Sequence, residues 1–361
     1  MITRKILTGD TGKAARYLPL AQNYLKQAER IKVRTLTRNL PNGVSITVMI
    51  TRYEKIIKIH AQGGMLWVAD SSNSRIKQVA TIPLGGKAKV YSEYGTGEGQ
   101  FDGLAFDIAA MGQKIYATNT SLGAVDIYSL TGEFQLRVIV ANHPVYHIAA
   151  ADGLIAVVAN VGGSNPSNDT VLVYDTDFNL VTSFTQIADY AIGAVALFKN
   201  RLYVSVGAWD SGPDINVYDL DSQDLLWSYS GVSLCEGMAV YRGELYVTDP
   251  DGGATPSGNY IHVFPTEGGA LTRSFGTQGP SNGDPAGVGE FEYYGGGARG
   301  IAVDGTGVYV SDVNSGAPAE EFRFRDSITR FTHAGSPISK HVGYGDSLTQ
   351  YNQPFGLAIK E

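Results

Sequence analysis

The sequence has a single cysteine, Cys235, so no intrachain disulfide can brace it. It has no run of about 18 apolar residues, which a membrane-spanning helix needs, so membrane insertion is not expected. Its first residues lack the apolar core of a secretory signal, and the expectation is a soluble protein made in a cytoplasm. Gly-x-Ser-x-Gly and zinc-binding helix motifs are absent. Gly9-Asp10-Thr11-Gly12-Lys13-Ala14 falls short of a phosphate loop: its glycines stand too close together, and Ala14 occupies the place of the required Ser or Thr. No cofactor motif remains, and none is expected to be bound.

Charge is unevenly placed. The overall −7 divides into residues 1–60, with 12 Lys/Arg against three acids (net +9), and a remainder of −16. A basic head on an acidic body predicts two modules with different partners. The basic residues are scattered over a predicted helix and strands without a reading motif, which argues against nucleic acid.

Residues 1–62 read as a small α+β module. Ala14, Tyr17, Leu18, Ala21, Tyr24, Leu25 and Ala28 keep helical spacing, interrupted by Pro19. Val44, Ile46, Val48 and Ile50 alternate with polar residues after Pro41-Asn42-Gly43, predicting a hairpin whose Asn-Gly pair tolerates positive φ. Ile56 to Ala61 supplies a third strand. Arg16, Tyr17, Tyr24, Lys26 and Arg30 are the candidate anchor residues of this module.

Abundant glycine (44) and tyrosine (21) suit turn-rich β structure in the remainder. Arg299 to Asp312 reads as two short strands about a glycine turn, and copies of it recur. First halves are Asp102 to Phe106, Tyr146 to Ala150, Ile192 to Ala196, Glu236 to Val240, Arg299 to Val303 and Phe355 to Ile359. Second halves are Leu66 to Asp70, Ile115 to Asn119, Ala156 to Asn160, Leu202 to Val206, Leu245 to Asp249 and Val308 to Asp312. The irregular spacing is that of propeller blades. The last first half has no second half after it, and Leu66 to Asp70 has no first half before it. The C-terminal strand is therefore expected to complete the first blade, closing residues 63–361 into a six-bladed β-propeller without a sheet edge around the ring.

Val68-Ala69-Asp70-Ser71-Ser72-Asn73-Ser74-Arg75-Ile76 resembles the NHL repeat, and Tyr94-Gly95-Thr96-Gly97-Glu98-Gly99-Gln100-Phe101 is similar to that family's Gly-rich link between blades. Gly287 to Phe291 and Tyr351 to Gly356 echo the link. The likeness spans about residues 65–361 and fades in blades three and four, where Val206 replaces the acidic position. It implies the six-bladed fold. For function it implies protein- or RNA-binding modules, metal-dependent lactonases or an amidating lyase.

Strand parity places a–b and c–d turns on one face and b–c and d–a connections on the other. The long segments belong to the second face, where binding residues usually sit. Trp209, Tyr293, Tyr294, Phe322, Phe324, Tyr344 and Tyr351 fall in them, among carboxylates, a composition suited to a protein or glycan receptor. Residues at the start of the first strands should ring the channel mouth: Asp102, His147, Glu236, Arg299 and Phe355. Asp102, His147 and Glu236 are the candidate metal ligands, although Arg299 shares the ring and pairs more simply with a carboxylate.

The leading expectation is a non-enzymatic interaction protein. A small basic anchor and a Gly/Thr/Tyr-rich β body look like phage virion components such as tail, fibre or capsid-decorating proteins, which work in oligomeric or larger assemblies. The alternatives are a lactonase-like hydrolase with metal at the channel mouth and a nucleic-acid-associated protein.

Overall fold

Six runs related to Leu-Tyr-Val-Thr-Asp each become the second strand of a four-stranded antiparallel sheet, and the six sheets form the blades of a propeller. The computed structural model describes residues 37–39, 45–47, 65–81, 84–160, 169–185, 187, 192–206, 214–232, 234–250, 259–280, 286–291, 297–313, 326–342 and 354–359. The chain divides into two units, Met1–Gly64 and Met65–Glu361. In the first, Thr37–Asn39 pairs antiparallel with Ser45–Thr47. Asn39 stands opposite Ser45 in this hairpin, and Asn42-Gly43 lies outside the described residues. The expected helix and third strand lie outside the described residues.

In the second unit, each blade's strands run a, b, c, d from the channel outward. Blade 1 is Pro354–Ile359, Met65–Asp70, Arg75–Thr81 and Leu84–Val90. The C-terminal strand thus completes it, with Leu357↔Val68, Ala358↔Trp67 and Ile359↔Leu66 in register. Blade 2 is Ala105–Met111, Lys114–Asn119, Ala124–Ser129 and Phe134–Ile139; blade 3 is Val145–Ala151, Leu154–Asn160, Asp169–Asp175 and Leu180–Thr185. Blade 4 is Val195–Phe198, Arg201–Val206, Asp214–Asp219 and Leu225–Tyr229; blade 5 is Gly237–Tyr241, Glu244–Asp249, Tyr260–Pro265 and Arg273–Phe275. Blade 6 is Gly297–Asp304, Gly307–Val313, Ser327–Phe331 and Pro337–Val342.

Apolar side chains of adjoining blades form the core as wedges. Trp67, Tyr116, Tyr203, Tyr246 and Tyr309, one on the b strand of every blade but the third, are almost wholly buried. In blade 3 the same register position is Ala156, opposite Val173 as Tyr203 is opposite Val217. This sets blade 3's repeat at Ile155 to Ala159, one residue earlier than the sequence pattern suggests, so Ala159 rather than Asn160 holds the position of Asp70. Blade 2 shows a similar slip. Its inner strand aligns Asp107-Ile108-Ala109 with His147-Ile148-Ala149, because Ile108 pairs with Ala117 as Ile148 pairs with Val157. Asp102-Gly103, which mimics the motif, lies in the preceding turn, where Gly103 has φ of +100°.

Hydroxyls of strand b stitch neighbouring inner strands. Thr118 Oγ1 accepts from Asp107 N–H (2.9 Å) and donates to Tyr146 C=O (3.1 Å) of the next blade. Thr248 Oγ1 likewise donates to Arg299 C=O (2.6 Å). Ser205 and Ser311 accept from Ala194 and Gly300 N–H at 2.9 and 2.8 Å. In blades 2 and 6 these N–H groups lie within bulges in strand a, which remove them from the ladder. The stitching also requires close approach. A Cβ at Gly237 would meet Arg299 C=O at 2.2 Å.

The described parts of two Gly-rich links, 94–101 and 276–291, are built alike. Tyr94 bridges Phe101 in parallel, as Thr277–Gln278 pairs with Glu290–Phe291. Gly97 N–H donates to Gln100 Oε1 at 2.9 Å and Gly287 N–H to Glu290 Oε2 at 2.7 Å. Each link drives a fully buried ring, Phe101 or Phe291, between blades. A cation from strand d fixes each one: Arg137 donates to Gln100 C=O (2.6 Å) and Lys340 to Glu290 C=O (3.0 Å).

Candidate functional site

The lengths of the connections differ sharply between the two ends of the propeller. The five a–b turns inside the chain are 112–113, 152–153, 199–200, 242–243 and 305–306, as tight as an antiparallel hairpin permits. Asp152-Gly153 and Arg242-Gly243 adopt the left-handed pairs of φ that such turns demand. At the other end the b–c connections include 161–168, 207–213, 250–259 and 314–326, and the d–a connections include 91–104, 276–296 and 343–353. Strand a begins and strand b ends on that long-connection face, so the first residues of each inner strand open onto it.

The inner strands of all six blades enclose a central cavity of about 410 Å³. On the long-connection face its wall carries Asp107, His147 and Glu236; deeper in, alanines predominate, among them Ala109, Ala150, Ala196 and Ala302. Small side chains here keep the channel open. The charged residues reach the mouth where strand a is bulged or just beginning.

The charges at the mouth are organised in pairs. Arg299 forms an ion pair with Glu236, and both side chains are mostly buried. Desolvation lowers the Arg299 guanidinium to about 10, with Asp312 acting against that shift. His147 Nδ1 lies 3.6 Å from Asp107 Oδ2 and meets the Phe106 ring edge-on at 5.2 Å. Both Asp107 oxygens also accept backbone N–H groups, from Ile108 at 2.8 Å and Ile148 at 3.0 Å. Asp169, behind His147, is buried and accepts from Ile192 N–H at 2.9 Å. Burial raises its carboxyl above the ordinary value, offset in part by that N–H and by His147. Among the described residues no three of His, Cys, Asp and Glu converge in a metal-holding group.

Of the residues expected at the mouth, His147 and Glu236 line the cavity and Arg299 is paired there. Asp102 stands in the turn before blade 2's inner strand, and Asp107 takes the position at the cavity wall. Phe355 lies on the closing strand Pro354–Ile359. Trp209, Tyr293, Tyr294, Phe322, Phe324, Tyr344 and Tyr351 lie outside the described residues, as do Arg16, Tyr17, Tyr24, Lys26 and Arg30. The described part of the long-connection face exposes Tyr94 and Val288, one on each Gly-rich link. Cys235 is buried beside the channel, where desolvation pushes its thiol well above the usual range, the opposite of a nucleophile's setting. Sequence reasoning missed Asp107 and Asp169. The repeat of Asp-Ile-Ala-Ala as His-Ile-Ala-Ala would have revealed the first; nothing in the local pattern marks the second.

No protein-family model matches the sequence, and no curated protein is similar to it. Among solved structures, a chain in a nidogen/laminin complex superposes with a TM-score of 0.56 at 14% identity, over 82% of this chain and 98% of that one. A chain in a mitotic checkpoint complex gives 0.46 at 12% identity, over 78% and 77%. The first likeness shows the propeller fold. No helix among the described residues is long and apolar enough to cross a membrane.

Proposed function

We propose that this propeller is an interaction module that binds a protein partner on its long-connection face. The observation that carries the reading is the asymmetry of the connections: one end is reduced to tight turns, and the other gathers every long b–c and d–a segment. A rigid ring that concentrates its adaptable segments on one side is suited to recognition. The solved structure with the higher TM-score comes from a protein–protein complex, in keeping with this reading. The matching construction of the two Gly-rich links supports an NHL-type origin for the blades. The +9 head and −16 body support attachment to a larger assembly through residues 1–62, as in a phage virion component with a protein or glycan receptor on the propeller. Hydrolysis at the channel mouth is disfavoured because its charges are spent on one another and on backbone N–H groups.

The test is affinity capture from the source organism, identification of the partner and titration of its binding. Tyr94→Ala combined with Val288→Asp should weaken binding at least about tenfold. A change on the tight-turn face, such as Gln223→Ala, should leave it unaltered. Equal loss from both faces would contradict the assignment. Stoichiometric Ca²⁺ or Zn²⁺ that disappears on Glu236→Gln or His147→Ala would favour the hydrolase instead.

A further inference from the structure

Blade 5 carries a hydrogen-bonded row that neither the channel nor the long-connection face uses. Asp249 ends strand b, His262 lies within strand c and Ser274 within strand d. The registers Val247↔His262 and His262↔Ser274 put all three side chains on one face of the sheet. His262 Nε2 stands 3.1 Å from Asp249 Oδ2, and its Nδ1 stands 2.7 Å from Ser274 Oγ. An ionised carboxylate only accepts, so Nε2 carries the imidazole proton and Nδ1 offers its lone pair to the seryl O–H. That tautomer is the one a general base needs. Leu234 N–H holds the other Asp249 oxygen at 2.9 Å, and the rings of Tyr260 and Phe264 flank the imidazole along strand c at 6.0 and 6.5 Å. Asp249 and His262 are almost wholly buried, whereas Ser274 is exposed at the rim.

The turn 242–243 sets the hydrogen-bond phase of the blade. His262 directs its backbone groups to Val247, so Ser274 opposite it turns its N–H outward, to an edge that no strand covers among the described residues. The hydroxyl thus has an open N–H beside it, a donor for an oxyanion. Other blades fill this row differently. It ends in Arg137 in blade 2 and Lys340 in blade 6. In blade 4, Ser228 donates to Asn216 Oδ1 at 2.6 Å, an amide that cannot take its proton.

We propose that Asp249, His262 and Ser274 form an acyl-transfer site that hydrolyses short-chain carboxylic esters, with Ser274 as the nucleophile. Ser274 Oγ attacks the carbonyl carbon as His262 Nδ1 takes its proton, and Asp249 stabilises the imidazolium through Nε2. The ester C–O bond breaks, and His262 passes the proton to the departing alkoxide. Water then attacks the acyl-serine with the same base, releasing the acid and restoring the hydroxyl. Ser274 opens to solvent rather than onto the central cavity, which fits a short acyl group on a good leaving group. The site does not depend on the partner proposed for the long-connection face.

Reaction of the full chain with a fluorophosphonate and with p-nitrophenyl acetate tests the proposal. The phosphonyl label is expected on the peptide containing Ser274, and Ser274→Ala should abolish enzymatic release of p-nitrophenol. His262→Gln should slow that release at least about a hundredfold. The wild-type rate should rise with pH as the imidazole loses its proton, and His262→Gln should remove this dependence. Ser228 is an internal control and should stay unlabelled. Absence of label on Ser274 in the wild type, a result that needs no variant to fold, would overturn the proposal. So would equal labelling of Ser228, or a rate unaltered by Ser274→Ala or His262→Gln.

Discussion

Blade 2 and blade 4 are built on the same four strands, yet they are held together differently. In blade 2 a polar ladder crosses the sheet from b to d. Asn119 Nδ2 donates to Asp126 Oδ2 at 3.0 Å, and Arg137 closes on Asp126 through Nε at 2.6 Å and Nη2 at 2.8 Å. Blade 5 has Asp249, His262 and Ser274 in the same register, and blade 6 has Asp312 and Lys340. In blade 4 the equivalent positions are Val206, Asn216 and Ser228, with one exposed hydrogen bond between the last two. Blades 3 and 4 are left with the apolar wedge between them, which includes Val171, Val173, Phe184, Leu202 and Tyr218, the kind of wedge that blade 2 has in addition to its ladder. The ladder of blade 2 also bolts the Gly-rich link through Arg137, so charge has been placed where a long connection needs anchoring.

The sharpest way to break this contrast is Asp126→Ala, which strands Arg137 and Asn119 in a largely buried site. A loss of about 3–5 kcal/mol is expected in denaturant unfolding. Asn216→Ala, its blade 4 counterpart, should cost about 1 kcal/mol or less. Equal effects would show that the ladder is not the distinguishing support.

Blade 1 offers a second handle through pH. Lys77 is buried 3.7 Å from Asp70, and desolvation lowers its ammonium from 10.5 to about 8 despite that carboxylate. Between those values the unfolded chain binds more protons than the folded one, so this group's contribution to stability rises with pH. Relative to Lys77→Met, the wild type should gain up to about 3 kcal/mol from pH 7 to 10, tyrosine ionisation being common to both proteins. A constant difference across that range would contradict the burial.

Smaller effects test the stitching and the turns. Thr248→Val removes the donor to Arg299 C=O and should lower stability by about 1–2 kcal/mol. Arg242→Gly relieves a left-handed φ of 50° and should raise stability by up to about 1 kcal/mol. Thermal unfolding of each purified variant distinguishes the two signs.

The fold was legible because the b strand repeats a buried aromatic and a terminal acid or amide, and because a lone first half at the C-terminus demanded a partner. What was misread follows from degeneracy. Asp102-Gly103-Leu104-Ala105 mimics the inner strand more closely than Phe106-Asp107-Ile108-Ala109 does, and only the pairing of Ile108 with Ala117 separates them. Blade 3 lost its aromatic, since Ala156 stands where others have Trp or Tyr, so its register could slip by one. Part of the mouth was legible: His147, Glu236 and Arg299 follow from strand starts, whereas Asp107 depends on a bulge and Asp169 on contacts across blades. The aromatics chosen for the binding face all fall outside the described residues, and the exposed Tyr94 and Val288 lie on Gly-rich links that the reading placed on that face without singling out either residue.

Ring closure underlies the assignment of faces, rim and channel, and native-state hydrogen exchange of the intact protein tests it directly. Amides in the register Leu357↔Val68, Ala358↔Trp67 and Ile359↔Leu66 should be protected as strongly as those of Leu245–Val247 at the centre of blade 5. Exchange of residues 357–359 at the rate of a fraying terminus, while 245–247 remain protected, would contradict closure by the C-terminal strand.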